Sequence, residues 1–268
     1  MSVRVPQEAV LPAQLREGAP RHKRTAVVLG HAALLLVVLI VWQCVGLVSG
    51  GLVPTVFPTF DALAAEFADD TLLDPLWSTF RAVLVGFLVG AAVALPAGVL
   101  VGRSPYLRKA FDPLISAVFS IPRILIYPAM LALFGIGVPS KLALAAISGF
   151  FPILITTIAA VGNIRPILTH VARTLGCTRL QTVFKVYLPS TAASIVAALR
   201  LGFSVSFVTV VSAEMFVADT GLGQELLNAY GLQQTERMFA LMMLALIIAM
   251  GVSMLLWRLE RWITSATS

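Results

Sequence analysis

Apolar residues fall into six long runs, at about 25–48, 76–101, 111–134, 139–162, 193–217 and 236–257, with polar segments between them. A helix of about 20 apolar residues crosses the roughly 30 Å hydrocarbon core of a bilayer. The pattern therefore predicts an all-α integral membrane protein with six transmembrane helices. One polar segment departs from a simple loop. Asn163–Pro189, NIRPILTHVARTLGCTRLQTVFKVYLP, carries Arg165, Arg173, Arg179 and Lys185, which do not belong in lipid. Its apolar residues Leu168, Val171, Leu175, Leu180, Val183, Phe184, Tyr187 and Leu188 nevertheless recur at helical spacing. Two short amphipathic helices are expected there. Pro166 suits a first helical turn, where its missing N–H costs nothing, and Gly176 suits a left-handed cap. Thr178 and Gln181 have the spacing of a capping box, and Pro189 is expected to close the second helix.

The other segments are less uniform. Residues 49–75 hold Asp61, Glu66, Asp69, Asp70 and Asp74 but no Lys or Arg. A short helix is expected to start at Pro58-Thr59-Phe60, with Phe60, Leu63, Ala64 and Phe67 on one face. The second run carries Gly86, Gly90, Ala94, Gly98 and Gly102, a small-residue stripe that lets another helix backbone approach. Packing within the chain and a dimer seam both fit that stripe. Gly102–Ala110, with Arg103, Arg108 and Lys109, is expected to be a loop. The third run is interrupted by Pro113, Pro122 and Pro128 and contains Arg123. Were that helix regular, Arg123 would lie about 18 Å into it. Phe134–Gly137 reads as a turn, and residues 218–235 open with Gly221-Leu222-Gly223 and hold a short helix at Gln224–Tyr230.

Composition agrees with membrane insertion: 59% of the 268 residues are hydrophobic, 12% are charged, and mean hydropathy is +0.93. The net charge of +6 comes from cations between apolar runs, so topology explains it rather than nucleic acid. With the N-terminus inside, fourteen Lys and Arg fall in the inner segments and two, Lys141 and Arg237, in the outer ones. That asymmetry predicts both termini on the cytoplasmic side and puts 163–189 there too. Residues 1–24 are expected to be a cytoplasmic tail. The run Thr25–Val48 is too long for a signal-peptide core and is expected to remain as the first span. The remainder, about 25–260, reads as a single membrane domain. Two cysteines, Cys44 and Cys177, support neither a disulfide framework nor a Cys-based metal site.

The central segment has the pattern Ala172-x3-Gly176-x9-Val186-x-Leu188-Pro189. It resembles the EAA loop of ATP-binding-cassette (ABC) importer permeases, E-A-A-x3-G-x9-I-x-L-P. Ala172, Gly176, Leu188 and Pro189 match in identity and Val186 stands for Ile. His170 occupies the Glu position and Val171 the first Ala position, so a carboxylate usual in the family is missing. Periodicity alone also fits an interfacial helix pair on lipid headgroups. The order of segments, including Ala213-Glu214-Met215 and Gly221-Leu222-Gly223, is similar to the nitrate/sulfonate/taurine/bicarbonate branch of these permeases. The resemblance implies a type I ABC importer transmembrane fold in a bacterial inner membrane. It further implies a homodimer in lipid, a cytoplasmic ATPase dimer and an extracytoplasmic solute-binding protein. His170, Val171, Ala172, Arg173, Gly176, Arg179, Lys185, Leu188 and Pro189 would form the ATPase-coupling loop.

The chain has no G-x4-G-K-[ST] phosphate loop. ATP and Mg are therefore expected on partner ATPase subunits, with no cofactor on this chain. Its histidines, His22, His31 and His170, are scattered, which disfavours a membrane enzyme. No internal repeat marks a secondary transporter. Glu214, the one acid in the fifth run, and Arg123 are candidates for the solute pathway, and structural pairing fits each at least as well.

Overall fold

The computed structural model describes residues 21–68 and 72–267. Most of the expected tail, together with Asp69 and Asp70, lies outside the described residues. The chain divides into two units, one ending at Val56 and one beginning at Phe57.

The first unit is α1, Arg21–Val48, followed by a turn. Gly50 and Gly51 take φ of +61° and +96°, which a side chain would resist. The chain then doubles back on the helix end. Trp42 Nε1 donates to the Pro54 carbonyl at 3.1 Å, and the Val56 N–H donates to Gln43 Oε1 at 3.0 Å.

The second unit is built on three long helices: α3 (Leu73–Gly102), α6 (Val138–Gly162) and α9 (Leu188–Glu214). Lipid gives packed helices no hydrophobic drive, so close backbone approach supplies the contact. Gly86, Gly90, Ala94, Gly98 and Gly102 are all buried on α3. The stripe's glycines lie against α6 of the same chain: a Cβ on Gly90 would stand 2.5 Å from the Ala146 carbonyl oxygen, and one on Gly98 2.7 Å from Thr157 Cβ. On the other side of α6, Gly149 and Gly202 do the same for α9. There the Ser206 hydroxyl donates across to the Ala145 carbonyl at 2.8 Å. Phe87 and Phe203 pack edge to face at 5.7 Å in the same core.

Around these helices run α2 (Val56–Ala68), α4 (Pro105–Phe119), α5 (Tyr127–Phe134), α10 (Leu222–Gly231) and α11 (Thr235–Thr267). Among the described residues, five helices are long and apolar enough to cross a membrane, and the α4–α5 pair makes a sixth if both arms form one span.

Several boundaries differ from expectation for local reasons. The third span breaks into α4, a 3-10 turn at Arg123–Ile126 and α5, with an 80° bend. Pro122 has no N–H to continue the ladder and restricts Ile121 before it. Helix α4 also starts six residues early, because Ser104 caps it, accepting from the Leu107 N–H at 3.3 Å, and Pro105 fills its first turn. Arg108 and Lys109 are thus helical rather than looped. In α2 the buried residues are Thr59 and Leu63, while Phe60 and Phe67 are 48% and 65% exposed. The predicted face was therefore rotated from the one that packs. Helix α11 continues about ten residues past its expected end.

Candidate functional site

The 163–187 segment folds as its sequence directs. Helix α7, Pro166–Thr174, begins at the proline. It ends where Gly176 turns left-handed at φ +70°, with the Leu175 N–H bonded to the Val171 carbonyl and the Cys177 N–H to the Ala172 carbonyl, both at 3.0 Å. Thr178 and Gln181 cap the next turn reciprocally: the Thr178 N–H donates to Gln181 Oε1 at 2.9 Å, and the Gln181 N–H to Thr178 Oγ1 at 3.2 Å. Helix α8 is one turn, Arg179–Thr182.

Pro189 does not close that helix. A π turn, Val183–Tyr187, carries the chain from α8 into α9, and Pro189 sits in the first turn of α9. The wider turn accommodates a residue that can neither donate to the preceding turn nor clear it in a regular helix. Leu180–Glu214 is thereby one continuous 35-residue helical stretch.

Most of the apolar stripe of this segment is exposed, with Leu180, Phe184 and Leu188 lining an open apolar groove beside Leu95 and Val99 of α3. Leu175 is 74% exposed and Leu180 69%, and Val171, Phe184 and Leu188 are exposed too, whereas Ala172 is buried. His170, Lys185 and Pro189 are also exposed. The side chains of Arg173 and Arg179 lie outside the described residues.

At the far end of α9 the structure gathers polar groups that the sequence had left apart. Glu214 and Lys141 are fully buried, and Lys141 Nζ lies 3.3 Å from Glu214 Oε1. Lys141 also donates to Ser78 Oγ at 3.3 Å and to the Thr220 carbonyl, and lies 3.5 Å from Asp219 Oδ1. The Thr79 hydroxyl stands 2.9 Å from both Glu214 oxygens and accepts from the Leu222 N–H at 2.8 Å. The Gly223 N–H donates to Glu214 Oε2 at 3.0 Å. Glu214 and Thr79 thus cap α10 between them, and the knot ties α3, α6, α9 and α10 together. Gly221 (φ +142°) has no room for a Cβ, which would meet the Glu214 carboxylate. Lys141 is therefore no loop cation, as charge counting had taken it. Its signal was available: the start of the fourth run and the end of the fifth lie at the same end of an up-and-down bundle, so a Lys and a Glu there can meet. Glu214 is enclosed and paired.

Three further cations of the apolar runs differ in their surroundings. Arg237 bonds Glu66 at 2.6 Å and Glu225 at 3.1 Å, and Arg200 pairs with Glu260 at 3.5 Å. Arg123 sits at the α4–α5 bend rather than inside a regular helix, so a depth counted along one helix does not apply to it. Its guanidinium carbon lies 4.4 Å over the Phe119 ring, and its Nε and Nη2 are shielded and have no hydrogen-bond partner.

Comparison with known proteins gives this architecture its place. The chain is 31% identical over 209 residues to the putative aliphatic sulfonates transport permease protein SsuC of Bacillus subtilis, covering 76% of this chain and 75% of that one. It is 29% identical over 200 residues to the taurine transport system permease protein TauC of Escherichia coli, covering 73% of each. A putative ABC transporter permease protein of Methanocaldococcus jannaschii is 35% identical over 175 residues, 65% of this chain and 66% of that one. The fold is similar to a chain of the inward-facing MetNI methionine ABC transporter, with TM-score 0.65 and 22% identity over 72% of this chain and 95% of that one. Residues 86–266 match the family model described as binding-protein-dependent transport system inner membrane component. This span runs from the small-residue stripe of α3 through the capped 163–187 loop into α11, and the chain belongs to that family as a multi-pass inner-membrane permease subunit of an ABC importer.

Proposed function

We propose that this permease imports a small anionic solute of the sulfonate, taurine, nitrate or bicarbonate kind, delivered by a binding protein and driven by a separate ATPase pair. The names of its relatives support the solute class. The working unit is a dimer of this chain in lipid, with both termini and the 163–187 loop on the cytoplasmic side, as the distribution of cations supports. ATP and Mg stay on the ATPase subunits.

One observation carries the coupling mechanism: the second half of the exposed loop, α8, continues through the π turn into α9 as one helical stretch. Its caps make α7–α8 a rigid knob able to sit in a groove of the ATPase. A movement of that knob on ATP binding passes directly along α9 to the polar knot at Glu214. Differential contacts in two bundle states then convert hydrolysis into alternate access. Val171, Ala172, Gly176, Leu188 and Pro189 set the shape of this element. His170, Arg173, Arg179 and Lys185 give it polar contacts, with His170 replacing the carboxylate usual in the family.

Gly176→Val tests this reading. A β-branched residue resists φ of +70°, so the knob loses its turn. ATPase subunits are expected to co-purify at least tenfold less well, and solute uptake is expected to be lost. Normal uptake with solute-stimulated hydrolysis in the variant would overturn the coupling assignment.

A further inference from the structure

We propose that the Arg123 guanidinium is a contact point for the anionic group of the transported solute; this rests on the reading of the chain as an anion importer. Five ion pairs are formed among the described residues, and they take up Lys141, Arg200 and Arg237. Arg123 belongs to none of them. It is nevertheless half-buried in an apolar stretch, where an uncompensated charge is costly and marks ion or substrate pathways. Eight α-helical residues at about 1.5 Å and four 3-10 residues at about 2.0 Å separate it from the Gly135 turn, about 20 Å of path. Arg123 thus stands at the break of the bent α4–α5 pair, twelve residues before that turn.

The open valences have a specific shape. Phe119 covers one face of the guanidinium plane. The two nitrogens left without acceptors, Nε and Nη2, form one edge of that plane. Two parallel N–H groups on one edge match an anion presenting two oxygens, as sulfonate, nitrate and carboxylate all do. Lys could offer charge but not this fork. The fork stands at the bend between α4 and α5, where the 3-10 turn packs on α6 and α9, two of the central helices. Both nitrogens are shielded in this conformation, so contact with solute requires the two arms to move. An alternating-access cycle supplies that motion, and the break at Pro122 supplies the hinge.

The test uses the whole importer, with its own ATPase and binding protein, in proteoliposomes. Labelled ethanesulfonate, taurine and nitrate serve as probes. Arg123→Gln is expected to lower ATP-driven uptake of the transported probe at least tenfold while basal ATP hydrolysis stays within twofold. Arg123→Lys is expected to retain part of the uptake and to lose preference among the probes. Unchanged uptake and preference in Arg123→Gln would sink the proposal while leaving the importer reading intact. Should the Gln variant not assemble, full uptake with unaltered preference in Arg123→Lys overturns it equally. A wild-type complex that hydrolyses ATP and takes up none of the three probes removes the anionic-solute reading, and this site with it.

Discussion

Two cations inside the second unit, Lys141 and Arg123, met the same physical problem and have opposite surroundings. Lys141 is fully buried and fully partnered: Glu214, Ser78 and the Thr220 carbonyl accept from it, and Asp219 lies beside it. Its carboxylate partner is in turn satisfied by Thr79 and the Gly223 N–H. Removing a charge from water is expensive, and only a complete set of partners offsets it. Arg123 is less buried and has an aromatic ring in place of a carboxylate. The difference separates architecture from function. A buried charge whose hydrogen bonds are all used holds helices together, while one with an unused edge is available to something that comes and goes.

The largest effect is expected from Glu214→Leu, which removes the buried carboxylate partner of Lys141 and leaves only the half-exposed Asp219 beside it. Breaking a buried pair on one side costs about 3–5 kcal/mol, so detergent-solubilised protein should lose much of its thermal stability. The double variant Lys141→Met with Glu214→Leu should recover most of that loss. If the double variant is as unstable as the single one, the knot is not held by charge pairing. Thr79→Val should come next, at about 1–3 kcal/mol, because the Leu222 N–H then lacks its acceptor and Glu214 loses a donor. Thermal unfolding followed by size exclusion would measure it, and local loosening should show as faster amide exchange at Leu222 and Gly223. Arg123→Gln should be smallest on the same scale. It gives up a cation–π contact of about 0.5–1 kcal/mol and relieves an unpaired charge, so stability should hold while transport falls. A large destabilisation there would make the two cations alike and undo the contrast.

The loop and the knot also differ in how far each could be read beforehand. Gly176, Thr178 and Gln181 act on neighbours three to five residues away, so their caps were visible in the sequence and formed as expected. Pro189 misled, because a proline marks an end only where the backbone cannot widen. Here a π turn absorbs it, and α8 joins α9. Lys141 misled for a related reason. A cation three residues into an apolar run looks like a loop residue until a carboxylate 73 positions away is placed beside it. Arg123 was visible as an intramembrane cation, but its unused edge was not, since that depends on what the bend at Pro122 brings near it.

The sequence by itself determined the all-α membrane class, the places of the apolar spans, the small-residue stripe on α3 and the capped loop between the fourth and fifth spans. These follow from periodicity, length and local hydrogen bonding, which act within a few residues. Only the tertiary structure decided that the stripe's glycines pack on α6, that Thr59 and Leu63 rather than Phe60 and Phe67 are the buried side of α2, and that Thr79, Lys141 and Glu214 meet. Those outcomes depend on contacts between groups far apart in the chain, 135 positions in the case of Thr79 and Glu214. Burial and electrostatics at such separations are fixed by how whole helices pack, and no local pattern encodes them.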